Sequence, residues 1–109
     1  MIFVELCPFV AFREEHWSDD EFRRFQTALM QSPKSGDVIR GGVGLRKLRW
    51  LAQGRGKRGG ARVIYYFQDA KAQIYLIYGY VKSERENLTP DQLRTLAKLM
   101  NEMKENDHG

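Results

Sequence analysis

Apolar residues recur at a helical period in two stretches of this chain and alternate with polar ones in three others. Phe22, Phe25, Ala28 and Leu29 fall on one face of a 3.6-residue repeat. Directly ahead of them, "SDDE" at 18 to 21 has the form of a capping box, with Ser18 as N-cap and Glu21 at N3. A helix of about three turns is predicted from there to "QSPKSG", where Pro33 and Gly36 stop it. "TPDQ" at 89 to 92 repeats the device, with Thr89 as N-cap, Pro90 at N1 and Gln92 at N3, ahead of Leu93, Leu96, Ala97, Met100 and Met103. A shorter helical stretch is expected around Phe9 to Trp17.

Between the capped helices the period drops to two. "LRKLRW", "RVIYYF" and "QIYLIYGYV" are rich in β-branched and aromatic residues and read as three strands, with "IFVEL" near the N-terminus as a further one. The glycine-rich stretch after "LRKLRW" and the "QDAK" turn are short links, which favour antiparallel hairpins. The expected class is therefore α+β, a small antiparallel sheet with helices packed on one face.

A chain of 109 residues has the size of one domain, expected to span 1–109, with enough length for one modest core. Cys7 is the only cysteine, so neither an internal disulfide nor a cysteine zinc cage can form, which fits a reducing compartment such as the cytoplasm. The opening "MIFVELCPFVAF" is apolar, yet it has no basic leader, carries Glu5 and is too short to cross a bilayer. It reads as part of the core, and no membrane association is expected.

The net charge is +4, and its distribution is uneven. From Val38 to Gln68 there is no acidic residue, whereas Arg40, Arg46, Lys47, Arg49, Arg55, Lys57, Arg58 and Arg62 all fall there. Such a block favours a polyanionic partner, with a solvated basic surface as the alternative. Within it, "GRGKRGG" at 54 to 60 matches the spacing G-x-G-x-x-G. A dinucleotide fingerprint has to lead from a strand into a helix whose N-terminus receives the pyrophosphate, and here a strand follows. The stretch reads instead as a hairpin connection whose Arg55, Lys57 and Arg58 lie along a phosphate chain.

Alternation on the flanking strands extends this picture. With Leu48 and Trp50 directed into the core, Lys47 and Arg49 project from the other face of the sheet. Val63, Tyr65 and Phe67 form the next buried set, which leaves Arg62 and Tyr66 on the outer face, and Lys82 follows Tyr78 and Tyr80. Cations interleaved with tyrosines suit single-stranded RNA, phosphates on the cations and bases on the rings. The alternative is a set of ordinary strand tyrosines beside solvated cations. His16 and His108 lack visible partners, the carboxylates concentrate in the helices and their caps, and no metal-ligand cluster is evident. No cofactor is expected, and nuclease chemistry would have to proceed without a metal.

The runs "GLRKLRW", "GRGKRGGARVIYYF" and "YVKSERENLT", with "QSPKSGDVI" before the first long strand, resemble the RelE/HigB superfamily of toxin–antitoxin toxins, most of all its phage-derived HigB-like branch. The resemblance implies a small RelE-like α+β toxin that enters the ribosome, cleaves mRNA and is neutralised by a cognate helix-turn-helix, HigA-like antitoxin. Operator DNA would be reached only through that antitoxin. Family basic positions fall on Lys47, Arg49, Arg62 and Lys82, which the resemblance makes the catalytic set. Arg46, Arg55, Lys57, Arg58, Tyr66, Tyr78 and Tyr80 become the RNA- and ribosome-binding set. This chain departs from some members by Arg49 in place of a lysine and by Leu88 near the position of a catalytic tyrosine. A non-catalytic RNA- or ribosome-binding module and a gyrase-targeting relative of the same fold are the alternatives.

Overall fold

The computed structural model describes residues 1–51, 60–82 and 87–106. In chain order these form β1 (Ile2–Glu5), α1 (Cys7–His16), α2 (Asp19–Gln31), β2 (Asp37–Val38), β3 (Arg46–Trp50), β4 (Ala61–Gln68), β5 (Gln73–Val81) and α3 (Pro90–Asn106), with one 3₁₀ turn at Asp69–Lys71 between β4 and β5. Both capped helices start where the caps place them. The Ser18 hydroxyl accepts the Glu21 N–H at 3.1 Å, and Thr89 and Gln92 exchange both bonds of a capping box at 2.9 and 3.1 Å. The Glu21 carboxylate, only 4 % exposed, also accepts Trp50 Nε1–H at 2.7 Å and Arg24 Nη2–H at 2.6 Å. A helix-start residue thereby ties α2 to the edge of β3.

The strands form one sheet in the order β1-β5-β4-β3-β2. The three long strands pair antiparallel, as their short links require, and β1 adds to β5 in parallel. The α+β class holds, with two corrections to the expected arrangement: the sheet is mixed and not wholly antiparallel, because β1 joins in parallel, and helices cover both faces and not one. On one face α1 and α2 bury Phe9, Phe12, Phe25 and Leu29 against Val63, Tyr65, Ile74 and Leu76. On the other α3 packs Leu96, Ala97 and Met100 against Ile64, Tyr75 and Ile77. The reason is that β4 and β5 carry apolar side chains at successive positions, so both faces must be covered. Each large apolar side chain fully removed from water contributes about 1.5–3 kcal/mol, which makes two thin cores sufficient for a chain of this size.

The pairing of β4 with β5 contains one irregularity that governs the rest. Ile64 opposes Tyr78 while Tyr65 opposes Leu76, so Ile77 is an extra residue on β5. Ile77 and Tyr78 consequently both turn toward α3, and the alternation restarts with the opposite phase: Gly79 faces α1 and Tyr80 faces α3. Gly79 is required there. A Cβ at that position would lie 2.4 Å from Phe12 Cδ2 and 2.6 Å from Phe12 Cγ.

The link from α2 to β2 is fastened by Tyr65, which is fully buried. Its hydroxyl accepts the Gly36 N–H at 2.9 Å and donates to the Pro33 carbonyl at 2.8 Å. Burial raises the Tyr65 pKa above that of a free tyrosine, opposed by the hydrogen bond from Gly36. Gly36 leaves room for this, since a Cβ would sit 2.7 Å from the Tyr65 ring.

Gly79→Ala is expected to destabilise the protein by about 1–3 kcal/mol through overpacking against Phe12. Urea unfolding checks this; a midpoint unchanged from the parent would mean that α1 is not seated against the bulged half of β5. The double variant with Phe12→Leu is expected to recover part of the loss.

Candidate nucleic-acid interface

The register places the predicted cations in two rows that run across the strands. Lys47, Ile64 and Tyr78 are successive partners across β3, β4 and β5, and Arg49, Arg62 and Tyr80 form the next row on the same face. Neighbouring strands stand about 4.8 Å apart and the rows about 7 Å apart, so Lys47, Arg49 and Arg62 occupy one small area. Asp37 of β2 is in register with Lys47 at its outer margin. The Lys47 ammonium donates to Asn87 Oδ1 at 3.2 Å, which links the first row to the segment that leads into α3. Arg49 is exposed, and Arg62 is half-buried with Nη1 donating to the Ala61 carbonyl at 3.3 Å.

Arg49 and Arg62 are direct cross-strand partners, two guanidinium groups on adjacent strands of one face. Like charges in such a pair lower stability, and a bound anion removes the penalty. In chemical terms such a face suits a phosphate: planar multiple donors stand on adjacent strands of one side, with Lys47 as a compact third cation in the adjoining row. Lys82 is exposed at the same end of the sheet, where its N–H donates to the Gly60 carbonyl at 3.1 Å.

The other expected residues separate into distinct groups. Arg46 does not belong to the face. It alternates to the α1/α2 side as partner of Tyr65, and its Nη1 donates to the carbonyls of Lys34 at 3.1 Å and Gly36 at 2.8 Å. Its guanidinium holds the loop that Tyr65 also holds, which takes it out of the expected RNA-binding set. Tyr66 is half-buried, with its ring 6.2 Å from that of Tyr75 beside the α3 core. Tyr80 is only 5 % exposed, while Tyr78, its ring 6.0 Å from the Tyr80 ring, remains partly open. Of the three tyrosines expected to meet RNA, Tyr78 lines a cavity beside α3. Arg55, Lys57 and Arg58 lie outside the described residues.

His16 packs its ring 4.9 Å from that of Phe12 and sits 3.8 Å from a Glu15 oxygen, in keeping with a structural residue. Among the described residues no three His, Cys, Asp or Glu side chains come together as a metal site, and no helix is long and apolar enough to cross a membrane. Sequence reading placed the first turn of α3 in a capping box and Asn87 in a family run but assigned neither to the site, because their proximity to Lys47 and Tyr78 exists only across the sheet.

A family model described as the RelE toxin of the RelE/RelB toxin–antitoxin system matches residues 10–108. Among solved structures, the chain is similar to an arginine-to-alanine double mutant of the E. coli toxin RelE in the free state. That match has a TM-score of 0.59 at 14% sequence identity and covers 91% of this chain and 95% of that one.

The two arginines of neighbouring positions on β3 are expected to behave oppositely. Arg46→Ala removes charge-assisted bonds to two carbonyls and is expected to cost about 1.5–3 kcal/mol in urea unfolding. Arg49→Ala relieves repulsion from Arg62 and is expected to leave stability unchanged or slightly higher, within about 0.5 kcal/mol. The reverse ranking would refute the division into framework and site.

Proposed function

The chain belongs to the RelE toxin family, the toxin side of a toxin–antitoxin pair, and on that premise we propose that it is a ribosome-dependent, metal-independent mRNA endonuclease. The observation that carries this reading is the facing pair Arg49 and Arg62 with Lys47 in the adjoining row. Three cations held by strand hydrogen bonds on one face suit a phosphate whose charge grows during reaction.

The reaction is transesterification within the RNA. The ribose 2′-oxygen loses its proton to a base and attacks the adjacent phosphorus, the bond from phosphorus to the 5′-oxygen breaks, and that oxygen takes up a proton. The products are a 2′,3′-cyclic phosphate and a 5′-hydroxyl, with no change of oxidation state and no cofactor. Arg49 and Arg62 stabilise the pentacovalent phosphorane, because an arginine keeps its proton and makes a poor base. Lys47 or Lys82 would serve proton transfer, with Tyr66, Tyr78 and Tyr80 as the alternative candidates. Arg55, Lys57 and Arg58 contribute docking to ribosomal or messenger phosphates, and Tyr78 contributes stacking.

A nuclease acting on its own cell's mRNA requires a neutralising partner. The partner is a HigA-like antitoxin with a helix-turn-helix domain, which would bring operator DNA to the complex. The site of action is the cytoplasm, where translating ribosomes are.

Arg62→Ala is expected to lower single-turnover cleavage on programmed ribosomes by about 10²-fold or more, with ribosome binding largely kept. Neutralising Arg55, Lys57 and Arg58 together is expected to weaken ribosome binding and flatten its salt dependence, with cleavage at saturating protein nearly unchanged. Growth arrest with intact transcripts would exclude the nuclease. If Arg62→Ala instead loses affinity in step with toxicity, the protein is a non-catalytic binder.

Co-expression with the adjacent gene product is expected to restore growth and to yield a stable complex on size-exclusion chromatography. Unrelieved arrest with no complex formed would remove the claim of an adjacent antitoxin.

A further inference from the structure

We propose that Asn87 is a positioning residue for RNA cleavage, its amide oxygen holding the Lys47 ammonium on the cation face without cancelling the charge. The inference rests on the ribonuclease reading above and adds to it a residue that acts through Lys47. Lys47 Nζ donates to Asn87 Oδ1 at 3.2 Å, across 40 residues of sequence. An ammonium has donors and no acceptor, so the amide presents its oxygen to Lys47 and keeps its NH₂ group as a neutral donor beside the charge.

The use of such a tie follows from the side chains themselves. A guanidinium is a planar, pre-organised fork, whereas a lysine carries its charge on a flexible four-carbon stem. Strand hydrogen bonds fix the backbone of Lys47, but they do not fix an ammonium at the end of that stem. Its neighbours in the row do not hold it either. Ile64 on β4 is apolar, and Asp37 on β2, though in register with Lys47, is not paired with it.

Asn87 can supply the tie because the start of α3 sets its position. Two residues on, Thr89 and Gln92 exchange the bonds of the capping box. Leu88 and Leu93 occupy the two positions of a hydrophobic staple, and both pack on the core between α3 and the sheet. Cap and staple fix how the chain enters the helix, and the residue ahead of them is thereby carried to Lys47.

An amide serves here where a carboxylate would not. Aspartate at this position would bind the ammonium more strongly, yet it would offset the charge that a phosphate is to meet. Asparagine orders Lys47, leaves its charge uncompensated, and leaves two further N–H donors for a phosphate oxygen or a 2′-hydroxyl.

Three measurements test this: single-turnover cleavage on programmed ribosomes, ribosome binding, and NMR relaxation of the lysine ε-CH₂ groups in the free protein. Asn87→Ala is expected to slow cleavage about 10-fold, the loss of one charge-assisted hydrogen bond, with ribosome binding within about twofold of the parent. In a Lys47→Met background the same substitution is expected to slow the residual cleavage no further, because nothing is left to position. The Lys47 ε-CH₂ group is expected to be ordered in the parent and as mobile as that of exposed Lys98 in Asn87→Ala. Asn87→Asp is expected to restore that order but not the rate. Parental cleavage by Asn87→Ala, or a Lys47 ε-CH₂ group equally mobile in parent and variant, overturns the proposal and leaves the ribonuclease reading intact. A slower rate that persists without Lys47, with a lowered urea midpoint, assigns Asn87 to the stability of α3 and overturns it as well. A parent that cuts no message on any ribosome is a separate outcome, which sinks the ribonuclease reading and this role of Asn87 together.

Discussion

Ile77, the extra residue of β5, determines which side chains share a face with the cations of β3 and β4. Were Ile77 instead paired with Ile64 in unbroken alternation, Tyr78 would turn toward α1, where the Phe12 ring already leaves no room for a Cβ at Gly79. The second half of β5 would then offer a glycine, and not a tyrosine, to the face that holds Arg49 and Arg62. The bulge thus solves two packing problems at once. It lets α1 lie close on one side and keeps Tyr78 and Tyr80 on the other, beside α3. Bulges act in this way because side-chain direction alternates with a period of two, so a single inserted residue inverts the phase of everything after it.

The buried polar groups serve to hold the frame on which that face is mounted. Tyr65 and Arg46, cross-strand partners on one face, both fasten the link between α2 and β2, and Glu21 fastens α2 to Trp50 at the end of β3. Each of these groups reaches a partner on another element, which is the condition for a polar atom to be buried without large loss. Arg13 follows the same rule. Its guanidinium lies 2.5 Å from a Glu5 oxygen, which raises its pKa above the usual arginine value against the opposing cost of burial, and it covers the Phe22 ring at 4.5 Å. The result is a β3 strand braced on one face and chemically open on the other.

The open face works against stability where the braced face supports it. Two guanidinium groups in direct cross-strand register repel, on the face whose apolar part α3 covers. Sites that must stabilise charge appearing only during a reaction commonly carry such a cost in the resting protein. On the function proposed above, an RNA phosphate would bring negative charge to this pair, and binding would coincide with relief of the repulsion.

Much of the fold was legible in the chain itself. The caps at Ser18 and Thr89 located two helices, and the period of two located the long strands, because both signals act between residues close in sequence. The outward set Lys47, Arg49 and Arg62 followed from alternation within single strands. The separate role of Arg46, the bulge at Ile77, the parallel placement of β1 and the seat of α3 on the second face were decided by the tertiary structure. Each depends on a partner remote in sequence: Gly36 and Lys34 for Arg46, Phe12 for the phase of β5, Ile64 and Tyr75 for α3. Local hydrogen bonding and side-chain periodicity are written along the chain, whereas the contacts that choose among faces arise only when distant segments compete for the same buried space.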